Sequence, residues 1–551
     1  MAMDNAAARE SFASEVYSYG VDYAKKTVLD RLPPELANLH IKGGIHIHDM
    51  ESFGKIYNCS TPDWHQYLRG FDFSALSAYG KMAETFEAIK FQVTRLAAAQ
   101  SGGIGFGNLD IDLEKRFDEL GLEQTERNSD FLNEIVASFI QWVNRVRTRF
   151  CRETYYLTVN LGLATGFWGR AVTKAFLRGF EDSPNNYTKP NIVFKVSGKV
   201  NSSPGSANYD LYQMALHCTV KRMIPTYLLM DSSTNSACMP ESLNVMGCRT
   251  RVYDNVNGAC GTIKRGNLAY TSVNLPRAAL SAGNLPDFFK NLRAFMDAAC
   301  AVMEIRNKML AATDGKYVEF VLREGLWQNV SSIEDMLRQG SRSIGFIGLS
   351  ETVEILSGEK MYLSEAGRNL AWEIVRFMRE YVDEKRNQTG DNYSLLATPG
   401  EMLSGRFCAL DSAQYPHPAQ EKGFYTNSFH VDVDAGISPF EKIRFEGPFH
   451  RLCNGGSICY VEFASAPLEN TVALSDALSY AERHGVSYMG FNFPMDICKD
   501  CGQDGTFDDC PECGSKNILR IRRVSGYLED STYFTDGKKA EIRRRRPNMS
   551  F

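Results

Sequence analysis

Along this chain apolar residues recur first at helical spacing and later in short dense runs. Residues 5–35 read as a helical opening segment that stops at "RLPPEL", where Pro33 and Pro34 break it. Residues 75–100, "ALSAYGKMAETFEAIKFQVTRLAAAQ", carry apolar side chains three and four apart, and Gly102, Gly103, Gly105 and Gly107 end the pattern. A further amphipathic helix is predicted over 126–150. Beyond it the period switches. "YYLTVNLGL", "PNIVFKVSG" and "IPTYLLM" are β-rich, whereas "YDLYQMALHCTVKRM" and "LPDFFKNLRAFMDAACAVMEIRNKML" are helical. "RSIGFIGLSETVEIL" reads as a turn into a helix and "NYSLLAT" as a buried strand. This alternation, with no fixed-period repeat and no low-complexity linker, predicts one large α/β body.

Composition narrows the class. The 551 residues are 44% hydrophobic and 23% charged, the balance of a globular enzyme. A net charge of −5 supplies no overall basic field for nucleic acid. There is no unbroken apolar run long enough to span a membrane, and the first residues lack the apolar stretch of a signal peptide. Fourteen cysteines are too dilute for a disulfide scaffold, so a reducing, cytoplasmic setting is expected, with some thiols acting as ligands or reactive groups.

The one sharp shift in composition comes near residue 490, where cysteines, acids and then arginines concentrate. Cys498-x-x-Cys501 is followed after eight residues by Cys510-x-x-Cys513, each pair trailed by a glycine, Gly502 or Gly514. Two such knuckles offer four thiolates to a tetrahedral zinc ion, a structural site. The alternatives are two redox dithiols or an iron–sulfur site. The "RRRR" run at 543–546 suits either a zinc-ribbon nucleic-acid binder or a solvated basic tail.

Thirteen residues after Cys513, in "RVSGYL", stands Gly526. A glycine in a β-like run normally marks a bulge or turn. The segment also resembles the glycyl-radical segment of anaerobic (class III) ribonucleotide reductases. A backbone Cα radical must be planar and delocalised over both flanking peptides, and only glycine lacks a side chain that would crowd it. "IHIHDMESFGKIYNC" (45–59), "QSGGIGF" (100–106), "KPNIVFKV" (189–196), "MGCRTRV" (246–252), "RGNLAYTSVNLPR" (265–277), "RSIGFIGLSE" (342–351), "NYSLLATPGEMLSGRF" (392–407) and "NGGSICYVEF" (454–463) resemble segments of the same family in the same order. The resemblance runs from about residue 36 to the C-terminus.

The resemblance implies a ten-stranded α/β barrel of two five-stranded halves over 36–489, with a finger loop inside. A helical extension (1–35) would precede it, and a zinc-ribbon and glycyl-radical domain (490–551) would follow. It implies oxygen-independent reduction of ribonucleoside triphosphates, with formate as reductant and dNTP or ATP effectors. It also implies a homodimer and a separate radical-SAM activating enzyme, because this chain has no C-x-x-x-C-x-x-C motif. Cys248 would be the thiyl residue, with Cys238 as rival or, alternatively, a plain buried thiol. Cys59 would donate hydrogen from the opposite face of the ribose. Glu401 would exchange protons at the 3′-hydroxyl, unless it is only an acid at a helix start. Asn267 would bond the ribose hydroxyls, unless it is a turn residue beside Gly266. Only some 35 residues precede the matching body, so the ATP-cone carried by many members, and its on/off control, is not expected.

Other features read blandly. His46 and His48 sit beside Asp49, but no third ligand lies at metal spacing, so they are read as packed and hydrogen-bonded. "GGIGFG" lacks the dinucleotide register; its glycines could let backbone amides approach phosphates. There is no Walker motif. The absence of an adjacent Cys-Cys pair counts against a carbon–carbon lyase. A different glycyl-radical enzyme (lyase or dehydratase) and the zinc-ribbon binder stand as the other classes.

Overall fold

The computed structural model describes residues 11–147, 154–183, 186–524 and 526–549. One large sheet contains β1 Ile45–Ile47, β2 Cys59–Thr61, β3 Ile104–Phe106, β4 Leu157–Leu161, β5 Asn191–Val196, β6 Thr226–Leu229, β7 Arg265–Asn274, β8 Ser341–Ile347, β9 Asn392–Ala397, β10 Cys459–Glu462 and β11 Tyr488–Asn492. A small second sheet contains β12 Met495–Cys498, β13 Asp504–Gly505, β14 Ile518–Val524 and β15 Tyr527–Asp530.

Ten strands of the large sheet follow one path, β10-β11-β6-β5-β4-β3-β2-β7-β8-β9, with β1 antiparallel against β7. From β2 to β6 every neighbour is parallel. β7, β8 and β9 are parallel to one another, as are β10 and β11. A parallel bridge from Leu396 to Gly456 joins β9 to the segment leading into β10 and closes the ring. The two five-stranded halves meet at antiparallel seams, β2 with β7 and β6 with β11. This is the expected ten-stranded barrel. Two apolar cores lie beneath the helices: one under Ala78–Ala99, Glu126–Arg145 and Phe167–Glu181, which extends across the β6–β11 seam to Met489 and Phe491, the other under Leu285–Ala311 and Glu365–Thr389.

Strand β4 shows how the sequence builds both faces. Leu157, Val159 and Leu161 enter the outer core, while Thr158 and Asn160, on the alternate positions, face the interior. Asn160 there donates to the carbonyl of Val245 at 3.0 Å and accepts from its N–H at 3.0 Å, and Thr158 donates to the carbonyl of Gly247 at 2.6 Å. The loop between β6 and β7 is thereby threaded through the barrel, and Cys248 lies in the tight turn closed by the Met246–Thr250 bridge.

Several expectations change. Pro33 and Pro34 end the helix Phe12–Arg31 but also open a new one, Pro34–Lys42, because proline suits the first helical turn. That helix crosses the 35/36 boundary. "RSIGFI" is the strand β8, and the turn comes only at Gly348, whose φ is +83°, before the helix Leu349–Ser357. The predicted helix 126–150 spans Glu126–Arg145, capped by Thr125; positions 148–150, like positions 5–10, lie outside the described residues. β11 continues the barrel to Asn492, past the boundary placed at 490. The arginine run is not a free tail. Arg544 pairs with Asp434 at 2.9 Å and Arg545 with Glu541 at 2.8 Å, while the backbone of Arg546 bonds Val433. Among the described residues no helix is long and apolar enough to cross a membrane.

Candidate active site

Gly526 lies at the tip of the β14–β15 hairpin, where Val524 pairs with Tyr527. Its φ is +116°, a conformation L side chains rarely adopt. The tip reaches into the barrel against the finger loop. A β-carbon on Gly526 would lie 2.6 Å from Cβ, 2.8 Å from the carbonyl oxygen and 3.0 Å from Cα of Cys248. No other residue type fits this contact.

Around it a cleft of roughly 750 Å³, partly open to solvent, is lined by Cys59, Cys248, Glu401 and Tyr527 together with His46, His48 and Gly103. Cys59 comes from the start of β2; its thiol donates to Asn58 Oδ1 at 2.9 Å and accepts from the N–H of Gly103 at 3.2 Å. A β-carbon on Gly102 would lie 2.5 Å from Cys59 Sγ, and one on Gly103 2.4 Å from Gly247 Cα. These glycines therefore seat the thiol and the finger loop, and Gly102 and Gly103 also line the cleft.

Burial pushes the Cys248 thiol up to about 11, with Arg249 opposing and the Glu401 carboxylate adding to the rise. The thiol is thus protonated at neutral pH, as hydrogen-atom transfer from S–H requires. Tyr527, next to Gly526, is raised well above its ordinary value by burial first and then by the two cysteines. Glu401 lies in the loop after β9, ahead of the helix Leu403–Gln414, and faces the cleft rather than acting only as a helix-start acid.

Asn267 on β7 sits directly across from Cys59 on β2. Its amide donates to Ser341 Oγ at 3.2 Å and Ser343 Oγ at 2.7 Å, and it is not among the cleft-lining residues. Cys238 is removed from the site: it is disulfide-bonded to Cys260 at the neck of the finger loop.

The histidines are packed as expected, but they are part of the cleft wall, which the sequence reading missed. His48 stacks on Tyr270 at 3.8 Å between centroids and shares a 2.9 Å hydrogen bond with Ser272, and His46 meets His48 edge to face. Thr158, Asn160 and Lys189 were also missed. Lys189 pairs with Glu529 of β15 and donates to Thr154 at 2.8 Å, pinning the hairpin to the barrel. An alternating polar pattern inside "LTVNL" was the available signal for Thr158 and Asn160. Nothing in the sequence marked Lys189 as the partner of a residue 340 positions away.

The sulfurs of Cys498, Cys501, Cys510 and Cys513 lie within 4.8 Å of one another, with 3.5 Å between Cys498 and Cys513 and between Cys501 and Cys510. Bonds of about 2.3 Å in a tetrahedron would place sulfurs about 3.8 Å apart, so the four fit a zinc ion. Gly502 and Gly514 close the two knuckles through N–H bonds to the carbonyls of Cys498 and Cys510. This is the one cluster of metal-ligating type among the described residues.

A family model described as anaerobic ribonucleoside-triphosphate reductase matches residues 4–547. The chain belongs to this family. The anaerobic ribonucleoside-triphosphate reductase of Escherichia coli K12 is 33% identical over 564 residues, covering 93% of this chain and 78% of that protein. The phage T4 enzyme of the same name is 30% identical over 574 residues, covering 95% and 93%. In fold, the chain is similar to the anaerobic ribonucleotide reductase of Thermotoga maritima with glycerol in its active site, at TM-score 0.72 and 17% identity over 97% of this chain and 90% of that one. The reductase is accordingly an oxidoreductase, and the lyase, dehydratase and nucleic-acid-binding readings are not favoured.

Proposed function

We propose that this reductase converts ribonucleoside triphosphates to deoxyribonucleotides through a radical stored on Gly526 and passed to Cys248, with formate as the electron donor. The observation that carries the reading is the contact of the Gly526 hairpin tip with Cys248, too close for any β-carbon.

In the proposed sequence an activating radical-SAM enzyme removes one hydrogen atom from Gly526 Cα. Gly526 then takes the hydrogen of the Cys248 S–H, leaving a thiyl radical, which takes the 3′-hydrogen of the bound ribose. Glu401 accepts the 3′-hydroxyl proton while the 2′-hydroxyl leaves as water. Cys59 gives its hydrogen to C2′ from the other side of the cleft. Formate supplies two electrons and leaves as CO2, so the balance is NTP + HCOO⁻ + H⁺ → dNTP + CO2 + H2O. Cys248 finally returns its hydrogen to C3′ and, a thiyl radical once more, takes a hydrogen from Gly526, which restores the glycyl radical.

Zinc held by Cys498, Cys501, Cys510 and Cys513 would stiffen the base of the hairpin, with no part in the chemistry. The chain is proposed to work in the cytoplasm as a homodimer. A dNTP or ATP effector site is proposed near the helices of residues 75–150, a reading supported by the Thermotoga maritima neighbour described with dATP in its specificity site. The test is anaerobic activation followed by EPR and a CTP reduction assay. A glycine-type doublet and formate-dependent dCTP are expected; activity without the doublet would overturn the radical assignment.

A further inference from the structure

Arg523 is 2% exposed, yet among the described residues no carboxylate forms an ion pair with it. A buried, unpaired guanidinium is costly unless its donors meet strong acceptors. Its acceptors are two backbone carbonyls. Nη1 donates to the carbonyl of Gly526 at 2.9 Å, and Nη2 donates to the carbonyl of Met223, which ends the helix Tyr209–Arg222 with a φ of +58°. Arg523 is itself held from behind, because Arg545 donates to its carbonyl at 3.0 Å. The acidic group whose charge reaches it, Glu462, is 3.9 Å from Arg545. The cation is thus aimed at the peptide oxygen of Gly526 and tied to the barrel on its other side.

We infer that Arg523 is the positioning residue that stabilises the Gly526 radical through its carbonyl, an inference that rests on the radical reading above. Loss of one hydrogen atom from Gly526 Cα leaves an electron shared with the amide nitrogen on one side and the carbonyl on the other. Delocalisation raises electron density on that oxygen, so a charged hydrogen bond there favours the radical over the intact glycine. The planar fork also holds the carbonyl in the plane that delocalisation needs. In the exchange Gly526 radical + Cys248–SH ⇌ Gly526–H + Cys248 thiyl, Arg523 biases the pair toward storage on glycine. No further oxidant or reductant enters.

The experiment uses the whole zinc-loaded protein, activated anaerobically in H2O and in D2O, as wild type, Arg523→Lys and Arg523→Met. In wild type, pulsed EPR should show a weakly coupled exchangeable deuteron on the glycyl doublet. Arg523→Met should lose that coupling, and its radical half-life should fall roughly tenfold, the scale of one charge-assisted hydrogen bond. Arg523→Lys keeps the charge and should retain an exchangeable coupling with an intermediate half-life. Should Arg523→Met fail to fold or activate, wild type and Arg523→Lys decide. A wild-type doublet without an exchangeable coupling, or an Arg523→Lys radical without one, overturns the role of the arginine. So does an Arg523→Met radical that keeps the coupling or the wild-type half-life. A wild type with no glycyl doublet overturns the Gly526 reading and this inference with it.

Discussion

Gly526 packs against Cys248 so closely that no space is left for a β-carbon between them. Gly526→Ala is therefore excluded twice, by a φ of +116° and by a methyl 2.6 Å from Cys248 Cβ. Holding a non-glycine residue in such a conformation costs on the order of 1–3 kcal/mol. The hairpin tip should be displaced from the finger loop while the barrel, with its separate cores, melts as before. Hydrogen exchange across residues 518–530 should speed up, and EPR after activation should show no glycine doublet. A doublet in this variant would end the assignment.

Cys248→Ser and Cys59→Ser should both abolish dCTP formation and both keep the Gly526 doublet. A hydroxyl O–H bond is too strong for a carbon radical to break, whereas S–H is well matched. The two variants should part at an earlier step. Cys59→Ser leaves the Cys248 thiyl able to take the 3′-hydrogen, so tritium loss from C3′ or base release should persist; Cys248→Ser should show neither. Equal 3′-tritium loss in both would mean that Cys248 is not the abstracting thiol. The Cys238–Cys260 disulfide makes Cys238→Ser the control, expected to turn over.

Much of this site could be read from the sequence because its chemistry is local. Each cysteine knuckle is a four-residue turn, the proposed radical loop is a six-residue stretch, and their spacing survives any packing. The regular alternation of β4 and β5 with helices was also legible. β8 was not. "RSIGFI" is buried on both faces, as parallel strands are, and its central glycine imitates a turn. The placement of His46 and His48 in the cleft wall depends on the β1–β7 pairing bringing residues more than 200 positions apart together. The arginine run looked like a tail because its partners, Asp434 and Glu462, come from the barrel. Long-range pairing of this kind leaves no periodic trace.

The pH response of Cys248 follows from its burial. Its thiol is raised from the ordinary 9.0 to about 11, so the folded state holds the proton more tightly than the unfolded chain. The associated stability is fully present below about pH 9 and is lost as pH rises toward 11. A displacement of this size corresponds to about 2–3 kcal/mol. Denaturant melts of wild type and Cys248→Ser should therefore diverge over that window, with wild type losing more; the other buried thiols are common to both and cancel. Glu401→Gln removes a negative charge that helps keep the thiol protonated, so its alkaline loss should still begin near pH 9 but be smaller and end at a lower pH than in wild type. Parallel curves for wild type and Cys248→Ser would show that the thiol is not held protonated by its surroundings.

Removing the metal should act on Gly526 without touching the substrate cleft. β12 runs directly into Cys498, and Cys498 pairs with Ile518 at the start of β14, so the knuckles hold the strand that carries the radical loop. Around the four sulfurs the apolar support is small: Ile518, with Phe507 against it. Structural zinc supplies on the order of 10 kcal/mol to such a module. The hairpin is not held by zinc alone, however. Phe493, Met495, Ile497, Ile521 and Leu528 belong to the barrel core, and Lys189 pairs with Glu529. Cys498→Ser/Cys501→Ser should thus unfold residues near 498–517 and fray the start of β14, leaving the main melting transition and nucleotide binding intact. On the proposed reading Gly526 has to leave Cys248 to be activated and then return to it. A frayed β14 would make that return imprecise, so radical yield after activation should fall steeply while bound zinc falls to zero. Normal radical yield in zinc-free protein would show that the barrel contacts suffice to place the glycine and that the metal serves some other end.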